Sequence, residues 1–170
     1  VRLNTPVTPE NIASFGADEV ILALGAQPAV PPIPGIGHAV QALDFYRRPD
    51  QAGRRVVMVG GGLVGCECAV DFAMQGIQVT LVEALPEILC ATKMISPSVG
   101  QMIPDLLEHY HVEVKAGHKI MEVNDRGAVI APMAGGKPQE IEADTVILSI
   151  GMRSNDNLED QLYGDGIEVY

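Results

Sequence analysis

The sequence predicts an α/β protein: a parallel sheet wound with helices, carrying a three-stranded antiparallel meander. Three observations lead there. Short continuous apolar runs at 20–24, 55–59, 78–82 and 146–148 read as strands buried on both faces, as parallel sheets require. Glycine-rich turns and amphipathic helical stretches separate the first runs. Between 119 and 143 the pattern changes to short alternating segments broken by Asn-Asp-Arg-Gly and Gly-Gly, which is hairpin chemistry.

Taken in order, Val1 to Asn11 is a connector with one helical turn starting after Thr8. Asp18 to Gly25 reads as a buried parallel strand ending in glycine. Ala26 to Gly37 is rich in proline, so it is neither a helix nor a central strand but an extended crossover between domains. Val40 to Arg48 holds a short strand and one helical turn, and Asp50 to Gly53 turns into the next strand. Arg55 to Val59 is a strand, Leu63 to Gln75 a helix closed by Gly76, and Gln78 to Val82 a second strand ending at Glu83. On the helix, Leu63, Cys66, Val70, Ala73 and Ile77 form an apolar stripe, and Glu67, Asp71 and Gln75 a polar one. Ser96-Pro97 fits a helix start. Pro104 within that helix predicts a kink or a later true start, and the helix ends near Tyr110. Val112 to Ala116 is a third strand. The meander follows, expected on the edge of the sheet, and Asp144 to Gly151 is a last buried strand mirroring Asp18 to Gly25.

Gly60-Gly61-Gly62-Leu63-Val64-Gly65 fits G-x-G-x-x-G between a strand and a helix. Gly60 turns the chain, Gly62 lets a diphosphate reach the backbone, and Gly65 lets the helix pack on the sheet. The free amides of the helix start, those of Leu63 and Val64 included, would face the diphosphate. Glu83 lies 23 residues after Gly60, the place of the acid that binds an adenosine ribose. Together these make a Rossmann-like dinucleotide unit. A carboxylate repels a 2′-phosphate, and Ala84, Leu85 and Pro86 supply no cation, so NAD(H) is expected over NADP(H).

Bulk properties narrow the rest. A net charge of −11 argues against nonspecific binding to nucleic acid or to an anionic membrane surface. No apolar run is long enough to span a bilayer, and no signal peptide is read. The cysteines at 66, 68 and 90 form no C-x-x-C, so each reads as a small reduced core residue in a cytoplasmic setting and not as a redox pair. Four scattered histidines suggest no metal site; His109 and His111 straddle a helix end at the surface. Both ends look cut, and the chain is expected to be a piece of a longer protein.

Four motifs in order then resemble the pyridine nucleotide-disulfide oxidoreductase superfamily: Val20 to Pro28, Gly60 to Glu67, the meander, and Asp144 to Asn155. Asn4 to Pro9 and Gly60 to Glu67 look most like the carboxy-terminal part of the NADH:flavin oxidoreductases related to old yellow enzyme, such as 2-enoate and 2,4-dienoyl-CoA reductases. The resemblance implies an NAD domain inserted into an FAD domain. Residues 1–37 would be a partial FAD-domain strand and crossover, 38–152 the NAD(H)-binding Rossmann domain, and 153–170 the return to the FAD domain. It implies that Gly60, Gly62, Leu63, Val64 and Gly65 hold the pyrophosphate and Glu83 the ribose. Glu67 would face the nicotinamide, Gly151 would let it pass, and Leu24 (in the usual place of a threonine), Gly25 and Ala26 would line FAD. An FMN barrel with an iron–sulfur cluster is implied in an amino-terminal part, and the rest of the same polypeptide is the implied partner. Asp18, Asp144 and Asp156 are read as solvent or capping residues. The function implied is hydride transfer from NADH to FAD, with no catalytic side chain in this segment and no activity expected of the segment alone. The alternatives are an NADH oxidase or peroxidase-type flavoenzyme, which would need an activated cysteine, and a non-catalytic NAD sensor.

Overall fold

The structure is a computed structural model, and it describes residues 1–45, 52–91, 94–155, 157–162 and 168–169. In chain order the helices are α1 (Pro9–Ile12), α2 (Ala42–Phe45), α3 (Leu63–Met74), α4 (Pro97–His109) and α5 (Asn157–Leu162). The strands are β1 (Glu19–Val20), β2 (Ala26–Pro28), β3 (Val40–Gln41), β4 (Arg55–Val59), β5 (Gln78–Val82), β6 (Glu113–Lys115), β7 (His118–Asn124), β8 (Gly127–Pro132), β9 (Gln139–Glu142), β10 (Thr145–Leu148), β11 (Met152–Ser154) and β12 (Glu168–Val169). Contacts divide the chain into two units, Val1–Gln27 with Met152–Tyr170, and Pro28–Gly151.

The Pro28–Gly151 unit is built on a five-stranded sheet in the order β3-β10-β4-β5-β6, every pairing parallel. Side chains of a strand alternate between faces, and this sheet buries both. Val56, Met58, Val79, Leu81 and Ile147 pack with Cys66, Ala69, Phe72, Ile103 and Leu107 of α3 and α4. Their neighbours Val57, Val59, Val82, Val146 and Leu148 pack on the other face with Val123, Ala128 and Ile130 of the meander. The continuous apolar runs of the sequence are therefore two interleaved faces, each with its own cover. The meander, β7-β8-β9, is a separate antiparallel sheet. It lies over a face of the parallel sheet and not on its edge as expected, because its own apolar face needs a partner surface that a sheet edge does not offer.

Helix boundaries follow the local chemistry. Gly76, at φ +81°, ends α3, and the Ser96 hydroxyl accepts the Val99 N–H at the start of α4 with Pro97 next. That start rules out the later one that Pro104 suggested: α4 continues through Pro104. Asp144 closes the sheet's lower end. Its Oδ2 accepts the Arg54 and Arg55 N–H groups at 2.8 and 2.9 Å, and its Oδ1 accepts the Arg55 guanidinium at 3.0 Å. The side-chain bond from Arg55 holds the Asp144 carboxyl below its ordinary value. It clamps the start of β4, as a capping carboxylate does.

In the other unit, α1 is capped by Thr8 and Asn11, and β1 pairs in parallel with β12. The buried strand expected over Asp18 to Gly25 is not found. Only Glu19–Val20 is strand, and Ile21 is 82% exposed. β1 and its parallel partner β12 have two residues each, and Val20 and Leu22 of the run are only half-buried. Asp156, and residues 46–51 of the turn before β4, lie outside the described residues.

Candidate functional site

The glycine turn joins β4 to α3. Gly60 has φ +109°, and a Cβ on it would strike the Ser149 carbonyl of the neighbouring strand's end. A Cβ on Gly65 would strike the Gly60 carbonyl, so the helix start sits directly on the turn. Gly62 differs: a Cβ there meets nothing within 4 Å. Two glycines thus serve backbone packing and the middle one borders open space. Gly62 is the N-cap of α3 and carries no capping side chain. The amides of Leu63, Val64 and Gly65 have no intrahelical partner, and none has an acceptor among the described residues. Donors at a helix start, backed by the macrodipole, can receive an anion.

Glu83 follows β5 and is half-buried. Its Oε2 accepts the Gly61 N–H at 2.6 Å and its Oε1 the Leu85 N–H at 2.7 Å. A carboxylate has about four lone-pair sites, so these two bonds orient it and leave capacity for vicinal hydroxyls. Sequence reasoning missed Gly61. It is buried, and a Cβ on it would lie 2.9 Å from the Glu83 Cβ. An unbroken run of three glycines, where the motif asks only for the first and last, was the available sign. Beside this corner, the Lys115 ammonium is held by Glu113 at 2.6 Å.

Cys66 lies beneath the turn, and its Sγ donates to the Gly61 carbonyl at 3.4 Å. Burial first, then the charges of Glu83 and Glu67, push its thiol up to about 12. It stays a neutral packing group. Cys68 is also buried, but Cys90 is exposed, which corrects its expected place in the core; it sits in the loop before α4 and belongs to neither core cluster.

Of the other expected residues, Val64 is 53% exposed, and Glu67 is exposed at the head of the polar stripe. Gly151, at φ +99°, follows β10, and its carbonyl accepts the Ala29 N–H at 3.0 Å. Since Leu148 pairs with Val59, and Val59 with Val82, the fold brings the glycine turn, Glu83 and the Ser149–Gly151 segment to the carboxyl ends of three adjacent strands. That is where open α/β sheets bind ligands. Leu24, Gly25 and Ala26 belong to the other unit. There the Asn155 side chain donates to the Leu24 carbonyl at 3.0 Å and its N–H to the Gly25 carbonyl at 3.1 Å. The sequence placed Asn155 only within a motif, without this clamp. Among the described residues no three His, Cys, Asp or Glu side chains gather to hold a metal, and no helix is long and apolar enough to cross a membrane.

Comparison with known proteins agrees with this geometry. The family described as pyridine nucleotide-disulphide oxidoreductase matches residues 2–169. Cinnamate reductase of Clostridium sporogenes is 34% identical over 97% of this chain and 24% of its own length. NADH oxidase of Thermoanaerobacter brockii is 33% identical over 99% of this chain and 26% of its own. The chain therefore spans about a quarter of the length of these relatives. Among solved structures, a 2-naphthoyl-CoA reductase matches with TM-score 0.78 and 29% identity, over 99% of this chain and 26% of that one. The water-forming NADH oxidase of Lactobacillus brevis, solved bound to NADH, matches with TM-score 0.64 and 25% identity, over 85% of this chain and 33% of that one.

Proposed function

The chain belongs to the pyridine nucleotide-disulphide oxidoreductase family, and from that premise we propose that it is the NADH-binding electron-input module of a flavin-dependent oxidoreductase, passing hydride from NADH to FAD. The observation that carries this is the corner where α3 begins. Unpartnered amides face open space at Gly62, while a carboxylate oriented by two backbone N–H groups stands at the end of the next strand. The residues fit a dinucleotide: Gly60, Gly62, Leu63, Val64 and Gly65 would hold its pyrophosphate and Glu83 the adenosine ribose. Glu67 would face the nicotinamide end, and Gly151 would leave room for the ring. The 38–152 domain is assigned to NAD(H). Residues 1–27 and 153–170 are assigned to an FAD domain, with Leu24, Gly25 and Ala26 along the flavin nucleotide; residues 28–37, expected there as part of the crossover, group with the NAD(H) unit, where Ile33 and Ile36 pack on its core.

The nicotinamide and flavin supply the redox chemistry when bound. This chain's residues bind and orient. Gly62 keeps the approach clear, the amides of α3 neutralise diphosphate charge, and Glu83 selects a free 2′-hydroxyl. Ala84, Leu85 and Pro86 follow Glu83 and supply no cation to meet a 2′-phosphate. The oxidase or peroxidase alternative draws on the relatives named NADH oxidase. A buried neutral thiol at Cys66 does not favour a thiol-based form of it. The finer reading is a parent of the enoate-reductase type with an FMN barrel and an iron–sulfur cluster. It is supported by the relatives named cinnamate reductase and 2-naphthoyl-CoA reductase, and iron and flavin analysis of the complete polypeptide tests it. The module itself is tested by mixing NADH anaerobically with the complete, FAD-loaded protein. Bleaching of the flavin absorbance is expected; an unchanged spectrum would reject electron input.

A further inference from the structure

Leu89 is one of three non-glycine residues with positive φ among the described residues, at +64°. This conformation is unfavourable for a side-chain-bearing residue other than Asn or Asp. It is held because the Leu89 and Ile88 side chains pack against the core around α3 and α4. What it achieves is a bond: the Leu89 N–H donates to the Gly61 carbonyl at 2.7 Å. The same carbonyl receives the weaker Cys66 thiol. The Gly61 carbonyl and the Gly62 N–H are opposite edges of one planar trans peptide, so fixing one aims the other the opposite way. The Gly61 N–H, one peptide earlier, is already held by Glu83.

We infer that Leu89 is a positioning residue for dinucleotide binding, its strained backbone N–H locking the Gly61–Gly62 peptide so that the Gly62 N–H faces the diphosphate. This rests on the NADH-binding role proposed above. Held strain at a ligand corner is a pre-organising device: the peptide plane is set before the ligand arrives. The loop from Glu83 to Leu89 then ties both halves of the site together, since Glu83 grips one side of Gly61 and Leu89 the other.

The test replaces the Leu89 amide with an ester by incorporating the α-hydroxy analogue of leucine in the complete protein, which removes the donor and keeps the side chain. Affinities for NADH, ADP-ribose and adenosine are measured alongside thermal melting. The ester should weaken NADH and ADP-ribose about five- to tenfold, the worth of one hydrogen bond, and leave adenosine, which has no phosphate, unchanged. Equal weakening of all three would mean a merely structural bond and would overturn the inference, as would no weakening at all. Should the ester chain fail to fold, L89V and L89G decide. The branched residue disfavours the left-handed conformation and should lose NADH affinity, and glycine should restore what valine loses; equal loss in both overturns the inference. If the unmodified protein itself does not bind NADH, the functional reading falls first and this inference with it.

Discussion

Asp18 to Gly25 and Asp144 to Gly151 are nearly the same eight-residue pattern: an acid, then Val-Ile-Leu in register, then a glycine. The second is a central strand between β3 and β4, with Val146, Ile147 and Leu148 at most 3% exposed. The first forms two strand residues, and its Ile21 is 82% exposed. What they share is the turn, for Gly25 and Gly151 both have positive φ, at +74° and +99°. Turn geometry is local and survives without burial. Burial is not encoded in the run; it is conferred by the strands and layers on either side.

The largest effect that could break this contrast comes from matched truncations. Ile147→Ala should cost about 2–5 kcal/mol, because it opens a cavity against α3. Ile21→Ala in the same chain should stay within about 0.5 kcal/mol. Chemical denaturation measures both, and equal costs would show that the two runs are equally packed. Next come the glycines. Gly25→Ala and Gly151→Ala should each cost about 1–2 kcal/mol, the penalty of a left-handed backbone, since neither site lacks room for a methyl. A large difference between them would mean the turns are not equivalent. The acids give the smallest effect. Asp144→Asn should lower the Tm at neutral pH, because it weakens a clamp on β4. The Asp144 carboxyl is depressed below its ordinary 3.8. Its contribution is therefore complete above that value and lost as the pH falls through the folded one, so wild type and D144N should converge in acid. Asp18→Asn should not move the Tm, since Asp18 has no side-chain bond among the described residues.

The same distinction separates what the sequence revealed from what it hid. β4, the glycine turn, α3, β5, the Ser96-Pro97 helix start and the hairpin at residues 124–127 were legible, because each is written in adjacent residues. Glu83 was legible through its distance from Gly60. The meander's place over a face of the sheet depends on Val123, Ala128 and Ile130 meeting residues far along the chain, which no local pattern carries. Cys90 reads as apolar in any window, yet is exposed. Gly61 and Leu89 matter through a bond across 28 positions, between residues that look like ordinary motif filler and an ordinary loop leucine.

The central claim is that the start of α3 and Glu83 together grip NADH. Gly62→Val tests it most directly, because a side chain at this position meets open space and an extended backbone at φ −72°, ψ 179°, so the fold should tolerate it. In the complete protein, G62V should melt with the wild type yet lose NADH affinity by about tenfold or more, as expected when a side chain blocks the close backbone approach of a diphosphate. NADH bound by G62V as tightly as by the wild type would contradict the account.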